Sequence, residues 1–519
     1  MKAGISFLFG VVAGLLMTGE VFGGERPNVL VIMVDDMGYS DLGCYGSEVE
    51  TPNLDALAAN GLLFTQMYNT SKCWTTRISL LTGLYHQRSD REFARTATVG
   101  EVLRPAGYRT WWSGKHHADF NPLGRGFDHF SGFLGGAINF WNPSHVAREG
   151  EVLPGWRSEY TWAFDEEEVK PFVPDKSFYA TDEFTDWALE WLDEERGADE
   201  PFFLFVAYNA PHWPLHAHPE DIAKYEGVYD EGYGAIREAR YARQLEMGLF
   251  DESVAPLSEA THVVWSDMGE EERRVEAKRM EIHAAMVDSV DQNVGRLVEK
   301  LRETGELENT LILFLVDNGA SAERPNAGGA PMEPWGSVGT FEAIGKHWAN
   351  VADTPLRLHK AKSHEGGINT PMIAHWPAGI SGKGEINREV CHLIDFLPTF
   401  MEMGGGSYPG EATGDIPEID GISLMPVFSG GNLEREDPLF FEFGGGKAVR
   451  DGKWKLVRAG NEDWELYDFS VDRTETNDLA GEHPERVGQM REAWEAWYRD
   501  CTGSDYIDPK AVKKAGKAK

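Results

Sequence analysis

The sequence predicts an α/β protein: a mostly parallel sheet flanked by helices, followed by a smaller C-terminal domain of antiparallel sheet plus helix. Three observations predict it. Short apolar runs recur from residue 25 to about 405 with helical periods between them, the pattern of strands buried on both faces. Two of those runs end directly on Asp-Asp or Asp-Asn, and sheets of this kind carry their sites at the C-terminal strand ends. Beyond residue 405 the texture changes, as GGGSYPGEATGD leads into short segments of antiparallel type.

Taken in order, Asn28 to Val34 (NVLVIMV), Phe202 to Tyr208 (FFLFVAY) and Thr310 to Val316 (TLILFLV) read as buried strands, with Arg109 to Ser113 (RTWWS) a weaker fourth. Asn53 to Ala59 and Val99 to Leu103 read as helices feeding strands. Met286, Val290, Val294, Leu297 and Leu301 recur at three- and four-residue spacing before Gly305, which is the apolar stripe of a helix and its stop. PLFFEF, KAVRD, KWKLVR and WELYDF read as strands of the second domain, closed by a helix from about Pro484 to Arg499. The expected organisation is a signal peptide over 1–24, a catalytic domain over 25–405, a small sheet-and-helix domain over 406–505 and a basic tail over 506–519. The stretches 140–175 and 215–275, rich in aromatic and acidic residues, read as surface insertions where selectivity is built.

Composition bounds the function. Lys plus Arg is 49 against 85 for Asp plus Glu, a net charge of -36. That balance excludes nucleic acid as the main partner, because phosphate binding needs basic surface. It also means that an anionic substrate is repelled at long range, so an anion site needs its own cluster of cations. The five lysines between Lys510 and Lys519 read as a solvated tail. At the other end, Lys2, the apolar run Ile5 to Met17 and small residues at Gly23 and Gly24 have the form of an export signal, too short for a good membrane span. The expected mature chain is exported, to the periplasm or beyond, with no stable membrane anchor after signal removal. Four cysteines are too few for a disulfide scaffold at this length.

The chemistry starts where the first strand ends, at Asp35-Asp36-Met37-Gly38. Adjacent carboxylates leaving an apolar strand are costly unless something positive meets them. Either they cap a turn or they bind a hard cation such as Ca²⁺ or Mg²⁺. The strand Thr310 to Val316 ends alike, at Asp317-Asn318-Gly319, adding a carboxylate and an amide oxygen. The set describes one oxygen-rich metal site. A two-metal hydrolase would want histidine among these ligands, and neither motif holds one.

Between them lies Ser71-Lys-Cys-Trp-Thr-Thr-Arg77, followed by ISLLTG. Cys73, Arg77 four residues on, and the SLLTG helix resemble the maturation motif of the type I sulfatases of the alkaline-phosphatase superfamily. Other segments resemble the family's blocks in order and spacing: RPNVLVIMVDDMGYSDLGCYG, TPNLDALAANGLLFTQMY, SGKHH, APHWP, KAKSHEGGINTP and WELYDFSVDRTETNDLA. The resemblance covers nearly the whole mature chain. It implies an alkaline-phosphatase-like fold, sulfate-ester hydrolysis, and a formylglycine made from Cys73 by a maturing enzyme.

The resemblance further implies roles. Asp35, Asp36, Asp317, Asn318 and residue 73 itself would hold one divalent cation, Ca²⁺ in most of the family and Mg²⁺ as the alternative. Arg77 and Lys115 would orient and polarise the hydrated aldehyde. His212 and Lys360 would meet the leaving oxygen, and His117 would serve as the later base. Taken alone, His212 between two prolines reads as a turn residue ahead of a catalytic one, and Lys115 and Lys360 as surface lysines. Two departures stand out. Thr75 occupies a position where the family usually has Pro or Ala, and His116 one where it often has Trp. His216 and His218 read as solvated; Cys44, Cys391 and Cys501 as small buried hydrophobes; Trp464 and Tyr467 as core of the second domain. The expected substrate is a sulfated small molecule or glycan. The competing functions are a phosphonate or phosphodiester hydrolase of the same superfamily, and an unconverted, inactive binder of sulfated glycans.

Overall fold

The computed structural model describes residues 26–155, 159–325, 332–409 and 416–507; the expected signal peptide and residues 508–519 of the tail lie outside them. Eleven strands form one sheet, in the order β6 (Glu167–Val169), β5 (Trp162–Phe164), β4 (His129–Phe133), β3 (Arg109–Lys115), β7 (Phe202–Ala207), β1 (Asn28–Val34), β8 (Thr310–Val316), β9 (Asn369–His375), β2 (Leu62–Tyr68) and β10 (Glu385–Asn387), with β11 (Cys391–His392) also pairing β2. Its centre is β1 (Asn28–Val34), between β7 (Phe202–Ala207) and β8 (Thr310–Val316), parallel to both. Every residue of β1 after Asn28 is buried. Successive side chains alternate faces: Leu30, Ile32 and Val34 join one core layer, Val29, Val31 and Met33 the other. Burial on both faces is why these runs are continuously apolar.

The first layer is covered by the helix Glu270–Thr304, with Ala180–Glu194 and Pro52–Ala59 beside it. The second is covered by the helices Cys73–Thr82, Val99–Leu103 and Phe396–Gly404. Among the described residues no helix is long and apolar enough to cross a membrane.

Several expectations are corrected. β3 (Arg109–Lys115) runs two residues further than Ser113, which puts Lys115 at the strand end. β2 (Leu62–Tyr68) and β9 (Asn369–His375) are fully buried strands that the periodicity did not mark, and β9 runs antiparallel to both β8 and β2. The stretch 140–175 is not merely surface, since β5 (Trp162–Phe164) and β6 (Glu167–Val169) extend the sheet beyond β4 (His129–Phe133). Within 215–275, Tyr229, Tyr233 and Arg240 are fully buried. His216 is not solvated either: its ring meets the Phe140 amide and, at 3.0 Å, the Thr340 carbonyl. His218 is half-buried against Asp182 at 3.0 Å.

β10 (Glu385–Asn387) and β11 (Cys391–His392) complete the first sheet, and Leu424–Phe428 still pack in its second core layer. The second sheet is antiparallel, β12 (Leu439–Phe443) to β15 (Glu465–Asp468) in sequence order, with β13 (Gly446–Asp451) and β14 (Trp454–Arg458) between. Helix Pro484–Thr502 lies on it through Met490, Trp494 and Trp497. Tyr467 is core here and Trp464 packs on its edge. Cys44 and Cys391 are buried thiols and Cys501 a partly exposed one.

Candidate active site

Five strand ends or turns converge on the start of helix Cys73–Thr82. Asp35 and Asp36 follow β1, Asp317 and Asn318 follow β8, Lys115 ends β3, His212 lies beyond β7, and Lys360 precedes β9. All seven are at most 4% exposed. The strand ends bring together residues up to 325 positions apart because parallel strands point the same way. The backbone is strained here: Asp36, Ser71, His117 and Ala361 all have positive φ, between 62° and 68°. Non-glycine residues in that region cost energy and cluster at functional sites.

Glycine marks one close approach. A Cβ on Gly319 would sit 1.7 Å from the Gly366 carbonyl, so the turn carrying Asp317 and Asn318 nests against the Glu365-Gly366-Gly367 turn. The Asp35-Asp36 loop is braced from below by Asp41, which accepts from the Gly38 amide at 2.9 Å and pairs with Arg240 at 2.7 Å and His283 at 2.9 Å.

The polar contacts form a mesh. Lys115 pairs with Asp35, Lys360 with Asp36 at 2.5 Å, and Arg77 with Asp317 at 3.4 Å while donating to the Lys115 carbonyl at 3.1 Å. Asn318 donates to Asp36 at 2.7 Å. His212 Nε2 lies 3.5 Å from Asp36, and its Nδ1 meets the Trp213 carbonyl at 2.6 Å. Ligand atoms of Asp35, Cys73 and Asp317 lie within 4.8 Å of one another, as do those of Asp35, Asp36 and His212. Three buried oxygens of this cluster, Asp35 Oδ1, Asp36 Oδ2 and Asn318 Oδ1, have no hydrogen-bond donor. Buried acceptors without donors are costly, and an oxygen-coordinated hard cation is what such a set fits. The residues of the expected metal site therefore suit the group the family implies.

Burial and neighbouring charges shift these groups in different directions. Burial would raise the Asp35 carboxyl, but Lys115, with His212, Lys360 and Arg77, holds it below the usual carboxylate range. Burial and the Asp35 charge push Asp317 the other way. Burial raises the Cys73 thiol despite Lys115 and Lys360, so residue 73 is a poor nucleophile as cysteine. Burial, then Lys115 and Arg77, depresses His117 well below the ordinary imidazole value. Burial also lowers His212, to about 4, against the pull of Asp36 and Asp35. Lys360 is opposed by burial, but Asp36 holds it above the ordinary lysine value.

Every expected site residue is thus in one cluster, and some participants were not expected. Glu323 pairs with Lys72 at 3.2 Å and accepts from the Trp213 indole at 3.0 Å. Burial opposes its charge, yet Lys360 and Lys72 pull it down to about 2. It stands between the neighbours of Cys73 and His212, and nothing in an acid six residues past Asp317 announces that. Gly136 is a second: a Cβ there would sit 2.5 Å from His117 Nε2, so this glycine is space for the ring. Thr75 closes the helix start, donating to the Lys72 carbonyl at 2.8 Å and accepting from Thr70 at 2.6 Å. His116 is buried among Trp112, Phe93 and Phe120.

The sulfatase family model matches residues 27–406. The chain is a member of the sulfatase family. A second model, for the C-terminal region of N-sulphoglucosamine sulphohydrolase, matches residues 358–494. The sulfatase is 34% identical to an arylsulfatase of Klebsiella aerogenes, over 78% of this chain and 92% of that one. It is 33% identical to an uncharacterized sulfatase of Schizosaccharomyces pombe, over 91% and 93%. A solved structure in complex with its substrate D-glucosamine-2-N,6-O-disulfate superposes with a TM-score of 0.63 at 22% identity, covering 94% of this chain and 100% of that one. The sulfatase is accordingly a sulfuric ester hydrolase with an alkaline-phosphatase-like fold.

Proposed function

We propose that this sulfatase hydrolyses sulfate monoesters of carbohydrates, and of small aryl alcohols, through a formylglycine made from Cys73 and one divalent cation, Ca²⁺ before Mg²⁺. The observation that carries the reading is the cluster itself: unpartnered oxygens on Asp35, Asp36 and Asn318, with Lys115, Lys360 and Arg77, all around residue 73. Asp35, Asp36, Asp317 and Asn318 would hold the cation, which supplies positive charge beside the sulfate oxygens. Formylglycine supplies a hydrated aldehyde, with one hydroxyl to attack sulfur and a second to permit release of sulfate.

The remaining work falls to residues of the chain. The three carboxylates balance Lys115, Lys360 and Arg77 in formal charge, so a divalent cation leaves the site net positive. That answers the long-range repulsion of a chain with net charge -36. Arg77, tied to Asp317 and the Lys115 carbonyl, has its guanidinium fixed to orient groups at residue 73. Lys360 presents an ammonium to the leaving oxygen, with His212 beside it to take part in the proton transfer. His117, kept neutral by burial, is in the form a base needs for the later step. The aldehyde-generating enzyme is the maturation partner on this reading, and export to the periplasm or medium places the enzyme where glycans are met.

Metal content tests the reading directly. Elemental analysis should find one Ca²⁺ or Mg²⁺ per chain, and both exhaustive chelation and Asp317→Ala should abolish turnover of nitrophenyl sulfate. Two zinc ions per chain would sink it.

A further inference from the structure

A second site lies between the two sheets. A cavity of about 920 Å³ opens there, lined by none of the residues that surround Cys73. It exists because the edge of the first sheet is interrupted: the register of β2 against β9 slips between Phe64 and Met67, and residues 388–390 leave the edge between β10 and β11. Arg388 fills the interruption, and β13, its turn and the segment after β15 bring Arg450, Lys453 and Arg473 to the same cavity.

Among the described residues none of the three guanidiniums has a carboxylate within hydrogen-bond distance, although Arg450 and Arg473 both act on the buried Glu365. Arg388 donates only to carbonyls, of Gly248 at 2.6 Å and Ile386 at 3.4 Å. Arg450 donates to the Gly452 carbonyl and, at 3.5 Å, to the Gln66 amide oxygen. Arg473 donates to the Thr65 carbonyl at 3.4 Å and reaches a carboxylate only at 4.0 Å, on a Glu365 already held by Lys455 at 2.7 Å. Lys453 alone has a close partner, Asp468 at 2.6 Å. Three guanidiniums converging without close carboxylates is unusual in a chain with net charge -36. Phe250 and Phe469 form the floor, both over nine-tenths buried, and the Phe469 ring carries the guanidiniums of Arg450 at 4.6 Å and Arg473 at 5.7 Å. The rim carries Asp251 and Glu252, and Asp251 is occupied with the amide and hydroxyl of Ser253 at 2.9 and 2.7 Å.

We infer that this cavity binds an anionic saccharide, its sulfate or carboxylate on the guanidiniums and its hydroxyls towards the rim carboxylates. The volume lies at the upper end for ligand pockets, roughly 300–1,000 Å³, far more than a lone inorganic anion fills. Guanidinium forks match planar or tetrahedral oxyanions, and the rim carboxylates offer acceptors for sugar hydroxyls. The site would hold a remote part of a glycan while a sulfate ester reaches residue 73. This use rests on the sulfated-carbohydrate reading above, although the binding does not.

The test compares dextran sulfate, carboxymethyl dextran, neutral dextran and polyglutamate as titrants of the full chain by calorimetry. Its variants are Arg388→Gln with Lys453→Gln, both exposed, and as an equal change of charge elsewhere Arg274→Gln with Arg302→Gln on the helix Glu270–Thr304. The cavity pair should weaken binding of both charged dextrans by roughly tenfold or more and lower the salt slope by about one per cation removed. The control pair should do neither, neutral dextran should not bind, and nitrophenyl sulfate turnover should stay within about twofold in all variants. Equal losses in both pairs, or polyglutamate binding as tightly as the charged dextrans at the same charge density, would overturn the saccharide site. Loss of nitrophenyl sulfate turnover in the unaltered enzyme would instead count against the sulfatase mechanism and leave the cavity standing.

Discussion

Lys360 and His212 differ from the other site residues in what they face. Both lie within 3.5 Å of Asp36 at the side where Trp213 and Glu323 form the wall. If they serve the departing oxygen, their value scales with how poorly that oxygen leaves. Lys360→Ala and His212→Ala should therefore slow hydrolysis of a sulfated sugar by about 10²–10⁴-fold and of nitrophenyl sulfate far less. Equal losses on the two substrates would place both residues on the sulfate itself. His117 is different again, because Gly136 leaves the space its ring occupies. Gly136→Ala should mimic His117→Ala in stopped-flow kinetics, giving a burst of one alcohol per chain and then a stall. An unaltered steady state in Gly136→Ala would show that the ring position does not matter.

At the scale of elements, the helix Cys73–Thr82 is tied to the end of β8 by two side chains: Thr76 Oγ1 donates to the Asp317 carbonyl at 2.7 Å and Arg77 to its carboxylate at 3.4 Å. Removing one such bond costs only about 1 kcal/mol of stability. A displacement near 1 Å can nevertheless cost ~10²-fold in rate. Thr76→Val should lose far more turnover than its urea midpoint suggests, and matched small losses in both would demote the bond to a local one. The elements also show what could be read in advance. The buried runs β1, β7 and β8 were legible because both faces of a central strand must be apolar, and the Asp35-Asp36 and Asp317-Asn318 ends were legible because nothing structural asks for them. β2 and β9 were not, because LLFTQMY and NTPMIAH carry polar residues that find partners only in three dimensions: Thr65 with the Asn387 carbonyl, Gln66 with the Arg388 carbonyl and Asn369 with Glu365. Glu323 and Gly136 were invisible for the same reason, since their meaning lies in what folds against them.

Across the whole molecule, the two sheets are joined by a buried triad. Lys455 of the second sheet reaches Glu365 and Glu475 at 2.7 Å each, all fully buried. Glu365 belongs to the turn that follows Lys360, so the small domain steadies the active site from behind. Stranding buried carboxylates costs roughly 3–5 kcal/mol, and Lys455→Met should lower the melting temperature and activity together. A second global property is acid lability. His86 is held at about 3, and His116 and His392 well below the usual imidazole value, all by burial. Because the folded values are depressed, the unfolded chain takes up protons first. Stability is therefore full above about pH 6.5 and falls below it, by about 1.4 kcal/mol per group and pH unit. Urea midpoints should drop steeply between pH 6.5 and 5, and His86→Phe should flatten the slope; a midpoint independent of pH in that window would contradict the burial of neutral imidazoles.

The central claim concerns residue 73, whose thiol is held by burial above the ordinary cysteine value. Mass spectrometry of the peptide that spans Cys73 to Arg77, taken from a preparation of known specific activity, tests it most directly. The account predicts a peptide lighter by the change from thiol to aldehyde, in a fraction that tracks activity from one preparation to the next. Fully active enzyme carrying only unmodified cysteine at position 73 would contradict it.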